Sequence, residues 1–146
     1  MNQKKKRVSR GRIPIVLTLF ALVVFKTILF IGYVPTSSME PTLDAGSYIV
    51  GSRVVGELDA GDIIIFRHEG HLLVKRIAWC PGDLIDLRSI EYMDSIAIPV
   101  WDDPLITVPE NCFYVLGDNT ENSIDSRYWD DPFVGTEDIV AKLILY

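Results

Sequence analysis

The sequence predicts a mainly β protein: one N-terminal transmembrane helix, then a compact antiparallel β domain of sandwich or partly open barrel type. Three observations carry that expectation. Residues 13–34 (IPIVLTLFALVVFKTILFIGYV) are almost wholly apolar. Beyond them, short runs rich in β-branched and aromatic residues recur between turn signals spaced about 8–12 residues apart. No second amphipathic helical pattern appears.

The apolar run has 22 residues, and at about 1.5 Å rise per residue these span about 33 Å, the thickness of a bilayer core. Lys26 is its one charge, costing about 3 kcal/mol at a bilayer centre and relieved in part by snorkelling. The run is too long for a cleaved secretory signal and ends in Gly-Tyr-Val-Pro, so an uncleaved anchor is expected. Residues 1–12 hold six bases and no acid, which predicts a cytoplasmic tail. The remainder, residues 35–146, is then an extracytoplasmic domain attached to the plasma membrane by a single pass. It carries seven bases against all 20 acids, a formal −13 within a chain of net charge −6. Phosphate repels such a surface, so nucleic acid is excluded as a partner; the apolar anchor makes membrane lipid the expected one.

Within that domain, Asp44-Ala45-Gly46 reads as a turn and residues 47–55 (SYIVGSRVV) as a strand. Residues 62–67 (DIIIFR) are dense in isoleucine and predict a buried strand. Glu69-Gly70 turns the chain into residues 72–79 (LLVKRIAW), another strand, and Pro81-Gly82-Asp83 turns it again into residues 84–87. Residues 90–107, with two prolines and an Asp-Asp pair, predict irregular structure or a loose hairpin. Residues 112–116 (CFYVL) form a strand closed by Gly117-Asp118-Asn119, residues 120–128 an ordered loop, and residues 139–146 (IVAKLILY) a final strand.

Ser38 lies between Pro35 and Pro41, whose rings fix φ and keep the segment extended, a stiff mount for a nucleophile. A serine needs a base. His68 and His71 lie at a turn without an obvious acid partner. A lysine must be neutral to serve, which requires burial to disfavour its charge by about 4 kcal/mol. Lys75 shares a strand face with Leu73 and Ile77, and Lys142 shares one with Val140 and Ile144; both meet the requirement. Cys80 and Cys112 form no metal-binding spacing; facing an oxidising space they would pair or stay as buried thiols.

Four blocks now bear on the choice: Thr36-Ser37-Ser38-Met39-Glu40-Pro41-Thr42, the Gly61-Asp62 strand, Lys75-Arg76 followed by Pro81-Gly82-Asp83, and Gly117-Asp118-Asn119 followed by Asn122-Ser123-Ile124-Asp125-Ser126-Arg127. In this order they resemble the signature of bacterial type I signal peptidases, membrane-anchored Ser/Lys proteases. The resemblance implies Ser38 as nucleophile, Lys75 as neutral general base, and Thr36 with the Ser38 N–H as oxyanion hole. It implies Ser123 as the residue orienting the lysine, Asp125 and Arg127 as supports of that loop, and Pro35, Met39, Leu43, Leu73 and Val74 near small substrate pockets. Cys80, where a small residue is common, and Asp130, where glycine is common, depart from the pattern.

The implied activity is a serine endopeptidase that removes signal peptides from secretory preproteins, cutting after small residues of Ala-x-Ala type, with no cofactor and no metal. The lysine, where the endoplasmic reticulum form carries histidine, favours the bacterial type. The rival readings are a specialised peptidase for one partner such as a pilin or conjugation protein, a soluble LexA-type self-cleaving regulator, and a non-catalytic anchored β module. The apolar run and the acidic domain oppose the second, and the presence of both Ser38 and Lys75 opposes the third.

Overall fold

The computed structural model describes residues 12–90 and 104–146. Helix α1 (Arg12–Ile28) leads without a loop into strand β1 (Leu29–Tyr33). The apolar stretch expected to form one 22-residue span over 13–34 is therefore divided between a 17-residue helix and a strand. Among the described residues no helix is long and apolar enough to cross a membrane. The physical reason for the switch is a partner: β1 pairs antiparallel with β2 (Tyr48–Ser52), from Leu29↔Ser52 to Tyr33↔Tyr48. Gly32, which costs a helix about 1 kcal/mol relative to alanine, sits so close to Phe30 and Ile49 that a Cβ would collide with the Phe30 ring. Tyr33 and Tyr48 meet edge to face with centroids 5.6 Å apart.

The remaining strands are β3 (Ile63–His68), β4 (His71–Trp79), β5 (Leu84–Asp86), β6 (Leu105–Thr107), β7 (Cys112–Leu116), β8 (Phe133–Gly135) and β9 (Ile139–Leu145). Seven of them form one sheet in the order β1-β2-β9-β3-β4-β7-β8, while β5 and β6 pair as a separate ribbon. Every pairing among the described residues is antiparallel, as expected. One large sheet with β1 and β8 as its edges is accompanied by this small ribbon.

Strand β3 is the axis of the core. Ile63 and Ile65 pack with Val34, Met39, Leu43 and Ile49, whereas Ile64 and Phe66 pack with Ile77, Phe113 and Val115. Both faces are covered, which is why the run is continuously apolar rather than alternating. A third cluster, including Ile85, Leu87, Val108 and Tyr114, fills the space between the ribbon and β7.

Most expected strands appear within a residue or two of their predicted bounds. Strand β8 was not anticipated: it is three residues long, and only its pairing with β7, from Cys112↔Gly135 to Tyr114↔Phe133, makes it a strand. The stretch expected to be irregular lies mostly outside the described residues, at 91–103. Cys80 and Cys112 are free and half-buried, and they pack against different clusters.

Candidate active site

The serine loop is anchored from below. Met39 and Leu43, each 1% exposed, plug into the core beneath β2 and β3. Two turns close over them, with Glu40 N–H donating to Ser37 O (3.0 Å) and Leu43 N–H to Met39 O (2.9 Å). Val34 is tied to Ser47 on the entering side. Ser38 is thus held half-buried between the exposed Pro35 and the buried Met39.

Lys75 faces it from β4. Register pairs Lys75 with Ile64, and along β4 Lys75 and Ile77 are the two fully buried positions. The lysine is 3% exposed, and its Nζ donates to Ser38 Oγ at 2.7 Å. Thr36 Oγ1 lies 3.4 Å from the same oxygen. Burial brings the amine down from its ordinary 10.5 to about 8; Asp125 and Asp118 oppose the fall and Arg127 assists it. Lys142 is committed elsewhere, its Nζ in an ion pair with Asp62 Oδ2 at 2.6 Å.

The loop after β7 forms the third side. Asp125, fully buried, accepts from Gly117 N–H (2.9 Å), from Ser123 Oγ (2.7 Å), and from Arg127 Nε and Nη2 (2.8 Å each). A buried carboxylate needs such company, since an unpaired one costs several kcal/mol. Ser123 therefore gives its proton to Asp125, and the amine's own hydrogen bond among the described residues runs to Ser38. The Ser123 hydroxyl thus bonds the carboxylate that also acts on the Lys75 amine.

Continuing the register Arg76↔Leu116 brings Gly117 opposite Lys75. A Cβ at Gly117 would run into the Ser123 side chain and the Ser38 carbonyl, so only glycine lets the two loops meet. Asn119 closes the junction: its N–H donates to Ser38 O (3.1 Å) and its Nδ2 to Ser37 O (3.0 Å). Arg76, next to the lysine, grips Asp118 through Nε (2.8 Å) and Nη2, Gly61 O through Nη1 (2.7 Å), and Thr42 through Nη2 (3.4 Å). Burial would lift the Asp118 carboxyl, but its hydrogen bonds to Arg76 and Thr42 outweigh that and hold it below the usual range. Gly117, Asp118, Asn119 and Arg76 stood in the sequence blocks without roles; a Gly-Asp-Asn closing a strand was the available signal.

A largely apolar cleft of about 490 Å³ opens at Ser38 and Lys75. Pro35, Met39, Leu73 and Val74 line it, and Phe30 and Ile31 of β1 add a wall that the membrane-helix reading had hidden. Leu43 is the exception: it lies in the core under the loop and not on the cleft.

Residues 7–94 and 90–146 match the family described as "Signal peptidase, peptidase S26". The chain is 29% identical to "Probable signal peptidase I-2" of Synechocystis over 75% of this chain and 59% of that protein. It is 30% identical to "Signal peptidase I U" of Bacillus subtilis over 94% of this chain and 90% of that one. It is also 26% identical to "Inactive signal peptidase IA" of Staphylococcus aureus over 96% of this chain and 91% of that one.

Proposed function

We infer, for a chain that belongs to the signal peptidase family, peptidase S26, a serine endopeptidase that removes signal peptides from exported preproteins. Ser38 is the nucleophile and Lys75 the general base. The observation that carries this reading is the 2.7 Å hydrogen bond between a buried lysine amine and the serine hydroxyl. An amine brought to about 8 is partly neutral near pH 7.5, which an exposed lysine is not.

As Ser38 Oγ attacks the peptide carbonyl, its proton passes to Lys75 Nζ, and the ammonium then delivers it to the leaving amine. Water, relieved of a proton by the same amine, releases the acyl-enzyme. The tetrahedral oxyanion is met by the Ser38 N–H and by Thr36 Oγ1, a type of donor worth about 3 kcal/mol each. The cleft beside the dyad admits an extended chain, and its apolar walls suit apolar side chains such as those of an Ala-x-Ala site. Asp125 and Arg127 support the lysine by neutralising each other beside it, and Ser123 by fixing Asp125.

Lipid attachment belongs to the same reading. Most side chains of α1 are apolar and exposed, Phe20 at 65% for example, and they suit a hydrocarbon environment. With the six bases of residues 1–12 on the cytoplasmic side and the β domain outside, enzyme and membrane-held preprotein share one plane, which raises their encounter.

The testing experiment is cleavage of a fluorogenic Ala-x-Ala peptide by wild type, Ser38→Ala and Lys75→Ala. Either substitution should lower kcat by at least about 10³-fold, and the wild-type rate should climb with pH through about 8. Full activity in either variant rejects the dyad. Similarity to a relative named inactive makes the wild-type arm informative too: failure of the intact chain to cut any preprotein would assign it a non-catalytic role.

A further inference from the structure

We propose that Asn119 is a positioning residue that sets the direction of the oxyanion donor, the Ser38 N–H; the inference rests on the Ser38–Lys75 reading above. Ser37 C=O and Ser38 N–H belong to one planar trans peptide and point in opposite directions. Whatever holds the carbonyl therefore aims the N–H. Ser37 O accepts two hydrogen bonds, from Glu40 N–H and from Asn119 Nδ2, both at 3.0 Å. On the other side of the plane, the Ser38 N–H donates to no acceptor among the described residues, as a donor kept for a transition state should.

The two bonds to Ser37 O do different things. Glu40 lies in the same turn and moves with it. Asn119 follows β7, and its neighbour Asp118 is clamped by Arg76, the residue beside Lys75 on β4. Through Asn119 the donor is thus referenced to the strand that carries the base. Asn119 grips both peptide planes flanking the nucleophile, because its own N–H also donates to Ser38 O at 3.1 Å. Its amide is oriented in turn: Asn122 Nδ2 donates to Asn119 Oδ1 at 3.3 Å, which leaves Nδ2 facing Ser37.

Losing Nδ2 leaves the Lys75–Ser38 contact and the burial of the amine in place. The defect should fall on the chemical step alone. Complete removal of an oxyanion donor costs about 10²–10³ in kcat. A donor that is still present but free to tilt costs less, so about a tenfold loss is expected.

The test compares wild type, Asn119→Ala, Asn119→Asp (the same shape without the N–H donor) and Ser38→Ala on a fluorogenic Ala-x-Ala peptide, with thermal unfolding in parallel. Expected are kcat about tenfold lower in both Asn119 variants and KM within about twofold. In Asn119→Ala the pH midpoint should stay near 8, with an unchanged unfolding temperature. Wild-type kcat in Asn119→Ala, a loss carried by KM, or a displaced pH midpoint overturns the proposal. If Ser38→Ala is dead while Asn119→Ala runs at full speed, only this inference fails; if Ser38→Ala still cuts, the dyad reading fails and takes the inference with it.

Discussion

Lys75 occupies its place in the sheet at a cost in stability. Folding moves its amine from 10.5 to about 8. Below pH 8 both folded and unfolded chains hold the proton, and the folded one bears the whole penalty, about 3 kcal/mol. Between about 8 and 10.5 the unfolded chain binds more protons, so this group's penalty fades as pH rises. Lys75→Met should therefore abolish cleavage yet raise unfolding free energy at pH 7 by about 1–3 kcal/mol, with the gain shrinking toward pH 10. Urea denaturation at the two pH values decides the point, and a destabilised variant at pH 7 would sink it. Arg127 tests the other side of the balance, since it lowers the lysine while its partner Asp125 raises it. Arg127→Gln leaves the Asp125 carboxylate buried without its cation. The rising limb of the pH–rate profile should move alkaline by about one unit and stability should fall by about 3 kcal/mol. A limb that stays put would show that Asp125 does not act on the amine.

At the scale of elements, legibility followed contact distance along the chain. Strands β3, β4, β7 and β9 were readable because their apolar content reports burial directly, and the turns between them because glycine marks positive φ. The β3–β4 hairpin illustrates this: Glu69 and Gly70 have φ of 49° and 81° in a two-residue connection, a backbone that favours Asn-Gly. Glutamate is the wrong residue there by its Cβ. Glu69→Asn should raise stability by about 0.5–1 kcal/mol, seen as a higher thermal midpoint with unchanged kcat; a lower midpoint would mean that the Glu69 side chain matters for another reason. Strand β1 was illegible for the opposite cause. An apolar run looks the same whether it ends as helix or strand, and only the pairing with β2, some 19 residues downstream, makes the distinction. The junction of Asn119 with Ser37 spans 82 residues. No local pattern announces it, and the resemblance does not name Asp125 as the acceptor of the Ser123 hydroxyl.

Among the described residues, a seven-stranded sheet and a two-stranded ribbon are joined to an apolar helix that adds no residue to the core clusters. Residues of α1 are exposed along its length, whereas Phe30 and Val34 just beyond it pack into the cluster under the serine loop. Packing into the β domain therefore begins within β1, ahead of Pro35, where the apolar run ends. A chain starting at Leu29 should fold, unfold at the same temperature as the full chain, and cleave a free Ala-x-Ala peptide within about threefold of its rate. On a preprotein held in lipid vesicles it should lose at least about tenfold, because enzyme and substrate no longer share a surface. A chain starting at Pro35 also loses β1, the cleft wall it forms, and the burial of Phe30 and Val34, worth about 3 kcal/mol or more. It should be destabilised and slow even on the free peptide. The pair of truncations separates anchoring from architecture: equal peptide rates in both would deny β1 its place in the cleft, and an unfolded Leu29 chain would mean that the helix supports the sheet rather than the lipid contact.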